Sequence, residues 1–345
     1  MIRVAGLSLH RGLSVCFVIA IVAVTPLIGR DAIIQDTVGQ DSVAQDAEDE
    51  FAIEEAEITS SDRDHWSYRP IVRPSIPHVK DSQWPSTPID RFILARLENQ
   101  SLRPAPAANA TTLVRRLYWD LTGLPPTIDQ IQSFVDDSSD DAYQRLVDEL
   151  LASPEFGKRW GQVWLDLARY ADTDGYEHDK VRDQAWKYRD WVIEAINDDL
   201  PYSDFVGWQI AGDELAGAGN SSDHSPQSLA TAFCVSGPDM PDINSMDERR
   251  HVLLNEITST VGSVMLGLQF GCAQCHDHKY DAISQADFYR LRAFFDSSIE
   301  LKKNQSVSVL ASHKDYPQTH LMIRGDWRRT GPPVEPAFPR VANLS

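Results

Sequence analysis

Between Gly271 and Asp281 the sequence reads GCAQCHDHKYD, which puts two thiols, two imidazoles and two carboxylates within eleven positions. Three chemistries use such a set. Cys272, Cys275 and His276 have the C-x-x-C-H spacing of covalent haem attachment. Two thiols three positions apart can each add to one vinyl group of a porphyrin, giving haem c, and the adjacent imidazole then reaches the iron from one face. The opposite iron face would take Met240, Met246, Met265 or His251. Alternatively, His276, Asp277, His278 and Asp281, with or without the thiols, could hold a divalent metal. A structural zinc site normally draws a second ligand pair from farther along the chain, and no second C-x-x-C and no H-x-x-x-H occurs. The third chemistry is a Cys272–Cys275 disulfide. Cys234, away from the motif, reads as a buried apolar residue.

A second dense stretch is ARYADTDGYEHDK, residues 168 to 180. Asp172, Asp174 and Glu177 are candidates for acid–base work, or, with His178 and Asp179 around Gly175, for a hard cation. The calcium-hand register does not fit them. The same aspartates could instead fix Arg182 and Arg189, or line a solvated loop between two helices. Tyr170, Tyr176, Trp186, Tyr188 and Trp191 interleave with these charges; they suit a sugar or porphyrin face, and at helical spacing they equally suit a core.

The elements that must position these groups are mostly helical. Thr87-Pro88-Ile89-Asp90 caps RFILARLE, and Thr127 and Gln130 form a capping box ahead of IDQIQSFVDD. Residues 111–122 end at Gly123 before two prolines, and residues 141–152 halt before Pro154. Residues 159–171 place Trp160, Trp164 and Leu167 on one stripe, and 184–198, 248–268 and 285–296 complete the set. Only THLMIRGDW, residues 319–327, alternates like a strand. The fold class is therefore mainly α, a multi-helix domain with short irregular or β segments near its C-terminal end.

Around this domain, spanning residues 63–328, the chain changes character. Arg3, His10 and Arg11 precede an apolar run from Leu13 to Gly29, so residues 1–30 read as an export signal or an N-terminal anchor. Residues 31–62 carry eleven acids and no base and include the repeat QDTVG, QDSVA, QDAED, the composition of a disordered spacer. Five prolines from Pro70 to Pro88 make an extended, wrapping entry to the domain. Residues 329–345 are proline-rich and read as a linker. The net charge of −19 argues against a nucleic-acid partner, which needs clustered Lys and Arg. Export also suits the cysteine motif, since thiols outside the cytoplasm tend to oxidise unless otherwise engaged.

Several long strings occur in one order: HWSYRPI, RRLYWDLTGLPPT, RLVDELLASPEFGKRWGQVWLDLARYADTDGYE, YRDWVIEAINDDLPYSDFV, GCAQCHDHKYDAISQADFYRLRAFF and IRGDW. From His65 to Trp327 the chain resembles the planctomycete cytochrome-C-type family of exported domains of unknown function. The resemblance implies a periplasmic or cell-surface protein and a C-x-x-C-H haem motif at Cys272, Cys275 and His276. It also implies a functional patch at Asp172, Asp174 and Glu177. Many family members carry a cytochrome-like module upstream and a second domain downstream, so a redox partner protein or a downstream-domain protein is expected. Without those modules the chain is expected to be the product of a truncated or split gene. Independently of the resemblance, three functions are open: redox chemistry on an extracellular substrate such as a polysaccharide, a metal-dependent enzyme built on the His/Asp cluster, or a non-catalytic surface or carbohydrate-binding module.

Overall fold

Short polar side chains start most of the helices. Thr87, Thr127 and Ser284 each accept a hydrogen bond from the backbone N–H three residues on, where the side chain of Asp90, Gln130 or Asp287 accepts from the cap's own N–H. This exchange satisfies donors that a helix start otherwise leaves unpaired. The computed structural model describes residues 53–176, 179–216, 225–312 and 318–342. In chain order its helices are α1 (Ser60–Arg63), α2 (Pro88–Asn99), α3 (Ala110–Thr122), α4 (Ile128–Asp136), α5 (Ala142–Leu151), α6 (Pro154–Leu167), α7 (Ala185–Asn197), α8 (Tyr202–Leu215), α9 (Pro226–Ala230), α10 (Ala232–Val235), α11 (Met246–Met265) and α12 (Gln285–Ala293). Strands β1 (His320–Met322) and β2 (Thr330–Pro333) pair antiparallel, with His320 opposite Pro333. The protein is mainly α, as its periodicity predicts.

Three apolar clusters hold these elements. The largest joins α6 to α11: Trp164 meets Phe205 edge-on at 4.8 Å, Trp191 stacks on Phe205 at 5.4 Å, and Leu254 and Ile257 of α11 are fully buried beside them. Buried Gln209 accepts from the indole N–H of Trp164 and the hydroxyl of Tyr188, each at 2.7 Å, so the polar edges of both rings are satisfied. Helices α6 and α7 approach closely because Gly157 and Gly161 face Ile193; a Cβ on Gly157 would lie 2.5 Å from the Ile193 carbonyl oxygen. Val114, Tyr118, Leu146 and Leu150 bind α3 to α5 in a second cluster. A third gathers Phe270, Ala273, Ile283, Phe288 and Tyr289 around the cysteine motif.

Several boundaries differ from the sequence expectation. Helix α6 starts at Pro154 rather than after it, because Ser153 caps Glu155 and a proline at the first helical position has no N–H to lose. On that helix Trp164 enters the core, but Trp160 and Leu167 are 45% and 47% exposed. The end of the acidic stretch is not spacer: Ile53 and Ile58 pack on the third cluster, and Glu55 pairs with Arg290 at 2.6 Å and Arg340 at 3.0 Å. Nor is the C-terminal stretch a linker, since β2 lies there and Val334 and Val341 are buried in the same cluster. Proline is tolerated in β2 because an edge strand leaves one row of N–H groups unpaired. The extended entry stands, with Ile71 and Val72 largely exposed. The signal or anchor at residues 1–30 and the repeats up to residue 49 lie outside the described residues. Among the described residues no helix is long and apolar enough to cross a membrane.

Candidate functional site

The cysteine motif sits where α11 has ended and α12 has not begun. A single 3-10 turn, Gly271–Gln274, carries Cys272 to the surface while Ala273 anchors it in the third cluster. Cys275 follows, half-buried, and both thiols are free. The main chain of the turn is fixed from behind: the carbonyl of Gln274 accepts from the Tyr289 hydroxyl and from Gln285 Nε2, both at 3.0 Å. Gln285 Nε2 also donates to Met322 O, tying β1 to the motif.

The two histidines are held in opposite states. His276 is exposed, and its Nδ1 lies 2.7 Å from the carbonyl oxygen of Asp277. A carbonyl only accepts, so Nδ1 carries the proton and the lone pair stays on Nε2, free for a ligand. His278 is reversed. Its Nδ1 accepts from the backbone N–H of Asp281 at 2.9 Å, which leaves its proton on Nε2. That bond, with His278 N donating to Ile283 O at 2.9 Å, closes the loop on itself. The Asp281 carboxylate lies 3.2 Å from the same Nδ1, an ion pair only when His278 is protonated. Asp277 uses its carboxylate to accept from Gln285 N at 2.7 Å, in the first turn of α12. Of the four residues expected to form a divalent metal set, Asp277 and His278 thus use their side chains in building the loop, and Asp281 adds its backbone N–H. Among the described residues no group of three or more His, Cys, Asp or Glu side chains converges as a metal centre.

Sequence reasoning missed the shell behind Cys275. Gly325 has φ +74°, and a Cβ there would fall 2.6 Å from Cys275 Sγ, so only glycine seats this thiol. On the far side of Gly325 stands a buried polar group from α11 and α12. His251 Nδ1 accepts from Arg292 at 3.1 Å, which takes the neutral ring's one lone pair, and Arg292 also donates to Asn255 Oδ1 at 3.0 Å; Asn255 Nδ2 lies 2.9 Å from Nε2. Burial and then the adjacent guanidinium push His251 down to about 4. With that lone pair taken by Arg292, His251 does not present one to an iron; Met265 packs on the largest cluster. The signal for this shell was the glycine inside a strand-like string, which marks close backbone approach.

The acidic loop is a scaffold at its centre. Asp174 is 2% exposed, its carboxylate lies 2.7 Å from Arg182 Nε, and Ser306 Oγ donates to both of its oxygens. Arg182 continues to the carbonyls of Ser236 and Gly237. A second buried pair, Asp239 with Arg249 at 2.8 Å, lies alongside, joined to the first by Asp239 N donating to Asp174 O. A carboxylate so enclosed holds the loop together. Asp172 is exposed and accepts from the Tyr170 hydroxyl at 2.6 Å. Glu177 and His178 lie outside the described residues. Tyr188 and Trp191 are core, whereas Tyr176 and Trp186 are about half exposed.

The thiols and the Nε2 of His276 fit covalent attachment of a porphyrin, and open space flanks the turn: a Cβ on Gly267 or Gly271 would touch nothing within 4 Å. No curated protein and no solved structure matches the chain. The model of the family PSCyt2, described as a protein of unknown function (DUF1549), matches residues 88–300, more than half of the 345. That span covers both the Asp174 loop and the whole cysteine motif, and the chain belongs to this family, a planctomycete cytochrome-C-associated domain of unknown function.

Proposed function

We propose that the chain is an exported c-type haem protein of the cell envelope, working in electron transfer or related redox chemistry. Cys272 and Cys275 would hold the haem covalently and Nε2 of His276 would bind its iron. The observation that carries this reading is the pair of opposed imidazoles: of the two histidines in the motif, the one at the C-x-x-C-H position has its lone pair turned outward, and the other spends its own on loop closure. Haem held in this way supplies one-electron chemistry between ferric and ferrous iron.

The rest of the work belongs to the chain. The carbonyl of Asp277 keeps the proton on Nδ1 of His276, which fixes the tautomer and the ring orientation. The 3-10 turn, pinned at Gln274 by Tyr289 and Gln285, sets the spacing of the two sulfurs. Asp277 and His278 couple that turn to the start of α12, so the ligand is mounted on the third cluster rather than on a free loop. A redox partner protein would meet the exposed side of Cys272 and His276. Export is supported by the signal-like sequence of residues 1–30.

The test is the visible spectrum of protein exported by a host with c-type maturation machinery. Cys275→Ala should lose covalent haem, and His276→Ala should keep it with an altered spectrum. If both variants reproduce the parent spectrum, the assignment fails.

A further inference from the structure

Away from the cysteine motif, a cavity of about 610 Å³ opens between the Asp174 loop, the amino end of α7, α10 and the stretch 304–309. Its size falls within the roughly 300–1,000 Å³ of small-molecule sites. The floor is apolar, formed by Leu229, Ala232 and Val235, and the rim is rich in amide and hydroxyl groups, with Gln184, Asn304 and Ser308 among them. Its lining carries a small positive excess. Arg182 is neutralised by Asp174, which leaves Lys180 and Lys187 against Asp183. Neither ammonium has an ion-pair partner among the described residues, and Lys187 is half-buried. A cavity biased toward cations on a chain of net charge −19 favours a ligand that brings its own negative charge.

We propose that this cavity binds an anionic sugar, a pyranose-sized ring bearing a carboxylate or a sulfate ester. Lys187 and Lys180 take the oxyanion, the amides and Ser308 take the ring hydroxyls, and the apolar floor takes a C–H face of the ring. The proposal is independent of the haem reading. The Asp174–Arg182 pair acts here as a positioning unit, holding one wall through Ser306 and the Ser236 and Gly237 carbonyls.

Calorimetric titration of the full chain with D-glucuronate, galactose 6-sulfate, glucose and galactose tests it. At least one of the two anions should bind saturably at one site, with both neutral sugars about tenfold weaker or worse. Lys187→Ala should lose about tenfold in affinity, the scale of one charged hydrogen bond. Ser308→Trp, a change at an exposed rim position, should fill the cavity and abolish binding while the unfolding midpoint stays at the parent value. Saturation by glucuronate alone identifies a carboxylate site, and saturation by the sulfate ester alone a sulfate site. The proposal is overturned if neither anion saturates, if the neutral sugars match them, or if both variants bind like the parent.

Discussion

Acidification from pH 7.5 to 5.5 should cost the protein about 1.3 kcal/mol of unfolding free energy through His251 alone. The ring is 8% exposed, and burial first, then the Arg292 guanidinium, holds it at about 4 against an ordinary 6.5. The Gly325 backbone and the Asp326 carboxylate pull the other way and are outweighed. A lowered histidine is neutral in the fold and takes its proton readily only when unfolded. Its stabilisation is therefore complete above pH 6.5 and drains away as pH falls, levelling off near pH 4. Each unit in that window is worth about 1.4 kcal/mol, and pH 5.5 lies one unit into it. Glu55 stays outside this interval: burial raises its carboxyl, but hydrogen bonds from Arg290 and Ser284 bring it below 4.5 overall, so its loss comes at lower pH. Urea unfolding followed by tryptophan fluorescence at the two pH values, on the parent and on His251→Gln, isolates the effect. The parent should lose about 1.3 kcal/mol more than the variant. Equal losses in the two proteins would show that His251 does not sit in the shell behind Cys275 as described.

Gly325→Ala should destabilise by about 2–4 kcal/mol, combining left-handed strain with overlap on Cys275 Sγ. Gly267→Ala has a similar φ of +67° in open space and should cost only about 1 kcal/mol, so the difference in chemical-denaturation midpoints measures the overlap. Asp239→Ala would strand Arg249, which is 1% exposed, without its counter-charge, at a cost of about 3–5 kcal/mol. The double variant Asp239→Leu, Arg249→Met should lose less than Asp239→Ala in the same assay.

Helix starts were legible wherever a hydroxyl and a matching acid or amide sat three residues apart, as at Thr87, Thr127 and Ser284, because that signal is local. Helix α8 was not, since it has no side-chain cap at its start and carries two glycines; Gly212 is there so that α9 can approach, a Cβ falling 2.0 Å from Gln227 O. Residues 53–62 and 329–342 differ from their composition for one reason. Composition counts Glu55 as a solvated acid and Pro333 as a linker residue, while Arg290, Arg340 and β1, which enclose them, are remote in sequence. At the motif the attachment pattern was visible, but the roles of its two histidines were not. Which imidazole faces outward depends on the carbonyl of Asp277 and the amide of Asp281, and residue types say nothing of either. For Asp174 the sequence offers both an acid–base role and a clamp on Arg182, and the ion pair with Arg182 is the contact that composition alone does not single out.

The most direct measurement is the intact mass and visible absorption of the exported, matured chain after acid–acetone extraction. Thioether attachment at Cys272 and Cys275 predicts a mass increment of one haem and a band that remains with the polypeptide. A colourless chain of unmodified mass, with both thiols still open to alkylation, contradicts it.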